Sequence, residues 1–353
     1  MKKISKLIIQ SCLRVREGEM IRISSWGHTM DLASKLAIDC FKNGAVPLIT
    51  LMTDQLFEEA LTEAPVEVLG MAPKHELAIA NEIDACITIS GPADPSILEK
   101  VPQKNFHSYR EAGTKIIENE KRRKVRHVNV HLGKVTKERA QAYRLEYSTW
   151  KKAVENALLI NYEEMKKIGE RLSELLVKGD RFRLVTEQGT DLIFQVDEKF
   201  IQLDDGIVSD EDVSRGQFWT NLPAGILDAV PIEGSVEGTV IVDTPQLRLG
   251  KIIEKTHLEF HESKLTSISA EQHEETLEKA LERICVDRPI LSRIGFGLNP
   301  NMEPGYLFDE IRLGTVSIAV GGKQQGCVVS GVLQRPTVYI DAKKLLVKGV
   351  LKI

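Results

Sequence analysis

Through the first third of the chain, short β-branched runs alternate with stretches whose apolar residues recur at helical spacing. The run "EGEMIRISSW" leads into "TMDLASKLAIDCFKNG", where Leu32, Leu36, Cys40 and Phe41 fall at helical spacing and Gly44 stands where a C-terminal cap belongs. "AVPLITLM", "DQLFEEAL", "PKHELAIANE" and "DACITIS" follow in turn. Strand and helix alternating at this interval predict a parallel sheet with helices packed on it. "VRHVNVHLG" predicts a further strand, and the basic run "KRRK" at 121 to 124 reads as its solvated lead-in rather than a binding patch.

From about Thr136 to Val177 the pattern is helical, with Lys and Glu outside and leucines inside "YEEMKKIGERLSELLVKGD". After Gly179, strand patterns and Gly, Pro and Asp turns dominate, interrupted by one amphipathic helix near "EQHEETLEKALERIC". The expected architecture is an α/β domain with a parallel sheet over 1–135, a helical connector over 136–179, and a β-rich α+β domain over 180–353.

Composition narrows the partners. With 47 basic and 51 acidic residues the formal charge is −4, which argues against nucleic acid or an acidic polymer. Cys12, Cys40, Cys86, Cys285 and Cys327 lack CxxC spacing, so reduced thiols and a cytoplasmic home are expected. Arg14, Arg16 and Glu17 break the apolar start before it reaches signal-peptide length, and no stretch approaches a membrane span.

Four segments of the second half, in order, carry a family resemblance. They are "GTDLIFQV" at 189–196, "NLPAG" with "PIEGSVEGTVIVD" within 221–243, "IGFGLNPN" at 294–301, and "LGTVSIAVG" with "PTVYID" within 313–341. Together they resemble the thermophilic metalloaminopeptidases, the aminopeptidase T family. The resemblance implies release of N-terminal amino acids from peptides at a pair of divalent metal ions, in a homodimer that closes its cavity between subunits. Such chemistry needs carboxylates and imidazoles to neutralise two metals and leave them open to polarise a carbonyl and activate water.

Position by position, those ligands are replaced. The family Glu after the Gly of "NLPxG" corresponds to Ile226, and the Glu two residues before the first Gly of "IGxGxNP" to Arg293. The His of "GTVHIA" corresponds to Ser317, the Tyr seven residues later to Gln324, and a final His-x-Asp pair to Val328 and Ser330. The eight histidines lie outside all four motifs. Two pairs, His127 with His131 and His257 with His261, are four residues apart, but strand-like sequence would separate the members of each by roughly 13 Å. No metal or other cofactor is therefore expected.

Asp228 shares a strand face with Ile226 and is the nearest carboxylate that could stand in for it. Arg293 would repel a divalent cation; it either grips a ligand carboxylate or phosphate, or forms an internal ion pair with Asp228. Ser317 and Ser330 are pocket hydroxyls or fillers, and no motif histidine could activate either as a nucleophile. Asn299 is a further candidate hydrogen-bonding residue.

Three functions follow. The first is a family-like protein without its metal centre, binding or processing a small peptide-like or anionic molecule, or a peptide end bearing a carboxylate, through Arg293, Ser317, Ser330, Asp228 and Asn299. The second is an aminopeptidase with a relocated metal site; any activity would then be metalloaminopeptidase-like hydrolysis. The third is a structural or interaction protein whose pocket has filled in. Ring-cleaving iron dioxygenases related to the family need the same missing His and carboxylate ligands, so their chemistry is not expected.

Overall fold

The β-branched runs of the first third become the strands Met20–Trp26, Val46–Met52, Ala85–Ile89 and Arg126–Val130. A computed structural model describes residues 2–89, 91–248, 251–284, 289–322 and 326–353. The chain divides into one unit of Met1–Leu158 with Gly206–Pro223, and another of Leu159–Asp205 with Ala224–Ile353. Among the described residues no helix is long and apolar enough to cross a membrane.

The first unit is built on a five-stranded parallel sheet in the order Val46–Met52, Met20–Trp26, Ala85–Ile89, Arg126–Val130, Trp219–Leu222. Helix Met30–Lys42 buries Leu32, Leu36 and Cys40 as its spacing predicts, but Phe41 points outward and is 63% exposed. The helix closes with Ala45 N donating to Cys40 O at 3.1 Å and Gly44 N to Phe41 O at 3.1 Å. This paired closure needs the left-handed backbone that Gly44 supplies at φ +77°. The basic run 121–124 is not the lead-in to a strand: Lys121 and Arg122 end the helix Gln103–Arg122, where cations suit the negative end of the helix dipole.

The expected domain boundaries also differ from those found. The helical stretch is shared out rather than standing as a connector, since Tyr147–Leu158 belongs to the first unit and Tyr162–Lys178 to the second. Each goes where its apolar stripe is buried, Trp150, Val154 and Leu158 in one case and Met165, Leu172 and Leu176 in the other. Residues 206–223 likewise lie in the first unit. Their strand Trp219–Leu222 pairs with Arg126–Val130, covering a sheet edge that would otherwise be open.

The second unit carries an antiparallel sheet of thirteen strands. Its central strand Ile290–Gly297 is flanked by Ile226–Pro231 on one side and Val316–Gly322 on the other. Beyond these lie Val196–Asp204 and Gly326–Leu333. Residues 323–325, between Val316–Gly322 and Gly326–Leu333 in the chain and including Gln324, lie outside the described residues. The fold is thus α/β with a parallel sheet, joined to a large β-rich unit.

Deep in the first unit, one row of the parallel sheet brings Arg22, Cys86, His127 and Trp219 side by side. Arg22 Nη2 donates to Glu120 Oε1 at 2.6 Å, and its Nε to Cys86 Sγ at 3.4 Å. His127 Nε2 lies 3.2 Å from Glu120 Oε2, an ion pair short of hydrogen-bond alignment, and its ring stacks on Trp219 at 4.1 Å. Burial alone would raise the Cys86 thiol, but the neighbouring His127 and the charge of Arg22 outweigh it and leave the thiol lowered. Burial would likewise lower His127, but Cys86 and Glu120 hold it up at about 9. Cys12, Cys40 and Cys86 are buried and form no disulfide.

A raised imidazole contributes stability that is fully present below the ordinary value of 6.5 and is lost as pH rises through about 9. The lowered thiol acts the other way, and its contribution is lost as pH falls through its folded value. Glu120→Gln should cost about 3 kcal/mol at pH 7, since it leaves buried cations underpaired. It should also bring the alkaline loss of stability to lower pH. Denaturation midpoints measured from pH 6 to 10 check this, and an unmoved alkaline limb would count against the pairing.

Candidate functional site

The candidate residues from three motifs meet on one face of the second unit's sheet. Gly295 is paired in register with Asp228 on one side and Ser317 on the other, so the three form a single cross-strand row. Arg293, two residues back on the same face, opens the next row, opposite Ala319, which is in turn opposite Ser330. Ser330 is thus two strands from Arg293, roughly 10 Å along the row.

Arg293 holds two carboxylates. Its Nη1 donates to Asp228 Oδ2 at 3.1 Å, and its Nη2 lies 3.5 Å from Glu310 Oε2. The three side chains keep 31%, 27% and 41% exposure for Arg293, Asp228 and Glu310. Of the two sequence readings of Arg293, the internal ion pair with Asp228 is present. Burial pushes Asp228 up to about 6 against the pull of Arg293, and the Glu310 carboxylate adds to the rise. Its other oxygen, Oδ1, is fully buried and has no hydrogen-bond partner.

Ser317 is 1% exposed, and its Oγ is also without a partner. Gly295 is what lets these groups approach. A methyl group on its Cα would stand 2.5 Å from Ser317 Oγ, 2.7 Å from Ile226 Cδ1 and 2.9 Å from Asp228 Oδ1. Any side chain there would collide with all three. Ile226 is 7% exposed and packs its Cδ1 against Gly295 beside these two oxygens.

Asn299 does not join this group. It is fully buried, its Nδ2 donates to Ala224 O at 2.7 Å, and its Oδ1 accepts from Asn301 N at 3.1 Å. Both ends of the amide are spent on backbone, so it fixes the loop after the Ile290–Gly297 strand instead of offering itself to a ligand. The side chain of Val328 lies outside the described residues. Sequence reasoning missed Glu310, which the short helix Asp309–Ile311 presents just before the "LGTVSIAVG" motif, and Asp204, which pairs in register with Ile226 and acts on Asp228. Nothing but their proximity to the motifs marked either.

The histidine pairs do not form sites. His131 contacts Asn221 at 3.2 Å while His127 contacts Glu120, and His261 contacts Glu237 at 3.0 Å while His257 is exposed on its strand. Among the described residues no group of three His, Cys, Asp or Glu is placed to hold a metal ion.

Residues 1–283 match a model of the thermophilic metalloprotease family M29. Among solved structures the chain is similar to wild-type AmpT from Thermus thermophilus, with 20% identity, TM-score 0.76, and 100% and 98% of the two chains covered. It is also similar to 2,5-dihydroxypyridine dioxygenase from Pseudomonas putida KT2440, with 14% identity, TM-score 0.63, and 99% and 96% covered. At these identities both likenesses bear on the fold alone. A search of curated sequences gave no match.

Arg293→Ala should destabilise the second unit by about 1–3 kcal/mol, less than a fully buried pair would lose because the ion pair is partly solvated. Adding Asp228→Asn should recover most of that loss. Chemical denaturation of the two single variants and the double variant checks this; additive costs would mean that the pair contributes no coupling.

Proposed function

The chain belongs to the thermophilic metalloprotease family M29, and from that premise we propose a divergent member in which the Arg293 guanidinium has taken over the charge role of the metal centre. In this reading the site binds a small peptide-like molecule without metal-assisted hydrolysis. The observation that carries it is Arg293 lying between Asp228 at 3.1 Å and Glu310 at 3.5 Å.

A pair of divalent ions does not suit the residues present. The positions that match the family's ligands offer an apolar side chain at Ile226, a fixed cation at Arg293, and hydroxyls at Ser317 and Ser330. The nearby carboxylates Asp228 and Glu310 already face the guanidinium. Adding two dications beside it would place like charges together at carboxylates already paired with the guanidinium.

Arg293 still has something to give a ligand. The 3.5 Å contact with Glu310 is at the outer edge of a hydrogen bond, and the Glu310 side chain is 41% exposed. A ligand carboxylate or peptide carbonyl can displace it, receiving the Nη2 proton while Nη1 stays on Asp228. This exchange supports a peptide end as the ligand. The homodimer implied by the family resemblance is part of the same proposal, and light scattering at micromolar concentration would return a monomer if that part is wrong.

Purified protein should contain far less than one zinc, manganese, cobalt or iron per chain by elemental analysis. Small dipeptides should raise its melting temperature equally with and without a chelator. Near one metal per chain surviving chelation, with hydrolysis of an amino acid p-nitroanilide, would instead support a relocated aminopeptidase site. If no dipeptide shifts the melting temperature, the pocket is filled and the binding reading fails.

A further inference from the structure

The parallel sheet of the first unit ends in strand Val46–Met52, which pairs with Met20–Trp26 on one side and is the sheet's edge on the other. Val46 N donates to Glu19 O at 2.8 Å, so alternate residues from Val46 onward spend their backbone groups on the inner neighbour. Ile49 and Leu51 turn theirs outward, as does Pro47, which has no N–H to offer. Edges of this kind are usually guarded by charge, by a bulge or by proline. From Ala45 to Thr53 there is no charged residue, and Pro47 stands as the guard. The edge is also apolar and open on both faces, with Val46, Leu48 and Leu51 exposed by 47%, 46% and 53%.

We propose that this edge is an interface for a second copy of the chain, paired antiparallel about Thr50 so that two parallel sheets join into one. The contact lies wholly in the first unit and does not depend on the function read for the second.

The backbone selects this partner and this register. With Thr50 at the dyad, Ile49 of each copy faces Leu51 of the other, and each such pair exchanges both of its hydrogen bonds. Pro47 then faces Thr53, whose carbonyl already accepts from Phe57 N at 2.9 Å, so the missing proline donor leaves nothing unmet. A register centred on Ile49 would instead set Pro47 against Leu51 and strand the leucine carbonyl. The side chains agree with the Thr50 register. Leu48 meets Met52 on one face and Ile49 meets Leu51 on the other, apolar against apolar, and no like charges face each other.

The helix above the edge fits the same dyad. Met30–Lys42 packs on both Met20–Trp26 and Val46–Met52, which sets its axis about 5 Å from the dyad and the two copies' helices about 10 Å apart, an ordinary packing distance. Its Asp39 accepts from Ser5 Oγ on the flank toward the leading helices, which run to strand Arg126–Val130 through the bond from Arg126 to Leu13 O. Phe41 lies about 200° round the helix from Asp39 and so on the opposite flank, above the open edge. That placement accounts for its exposure of 63%. Met30, Ser34 and Ala37 share the flank and carry no charge, while Asp31, Lys35 and Lys42 lie about a quarter-turn or more away. An uncharged helix flank thus continues the uncharged strand edge. A strand of seven residues gives a contact about 23 Å long, toward the lower end of stable interfaces, so the pair should form at micromolar rather than nanomolar concentration.

Engineered cysteines test the register. At the dyad the two Thr50 Cα atoms should stand about 4.5 Å apart, within reach of a disulfide. Leu48 is on the same strand and well exposed, but its counterpart in the second copy is roughly 13 Å away. Under mild oxidation Thr50→Cys should give a covalent pair of chains, and Leu48→Cys and the wild-type chain should not. Leu51→Lys should halve the mass measured by light scattering at about 50 μM and leave the melting temperature of dilute protein unchanged, because the side chain it replaces is half exposed.

Equal crosslinking of Thr50→Cys and Leu48→Cys would mean random collision and overturn the register and the interface together. A mass that Leu51→Lys leaves unchanged would do the same. Amide exchange at Ile49 and Leu51 that stays fast in concentrated protein would also overturn pairing between copies, leaving a foreign strand as the occupant of the edge.

Discussion

A charge withdrawn from water must find an opposite charge, and this constraint decides the arrangement of both units. In the first unit, Arg22, Glu120, His127 and Cys86 are almost completely buried and lie together in one connected cluster. In the second, Arg293 reaches Asp228 on a neighbouring strand and Glu310 on the short helix Asp309–Ile311. Leaving out any one member would strand its partner, so these residues specify register as much as they stabilise it. The register of the parallel sheet places Arg22, Cys86, His127 and Trp219 in one row, which brings the cluster together.

The site in the second unit follows from the same pairing combined with one absent side chain. Gly295 stands in the middle of a cross-strand row where every substituent would strike Ser317, Ile226 and Asp228. Its lack of a Cβ leaves room for Asp228 Oδ1 to pack beside it, buried and without a partner, while Arg293 holds the other oxygen. Asn299 contributes from outside the row, tying Ala224 to the loop that follows Gly297 and so fixing the approach of the two strands.

The architecture was legible in the sequence wherever a local pattern decided the outcome. The strand-helix alternation of the first third yields its parallel sheet, and the four motifs of the second half fall on the antiparallel sheet. The reading failed where long-range packing chose. Helical periodicity over 136–177 could not reveal that two neighbouring helices bury their stripes in different units, nor could the "NLPAG" motif reveal that its first residues complete the parallel sheet. Phe41 was misplaced because a buried helix face and an exposed apolar residue beside it share a periodicity.

At the site, Asp228 was found because residues two apart on a strand share a face, which places it with Ile226, whereas Arg293, Ser317 and Ser330 were found at positions that match the family motifs. Asn299 was misjudged because a side-chain amide looks the same in sequence whether it serves a ligand or the backbone. Glu310 shows the limit of motif reasoning most clearly. It lies outside every motif, yet it is the second carboxylate on Arg293. With a guanidinium at that position, a carboxylate placed at Ile226 would add another partner for the arginine. The ion pair therefore ties the arrangement together: Arg293 offsets part of the cost of burying Asp228, and the same side chain reaches Glu310 from its exposed side.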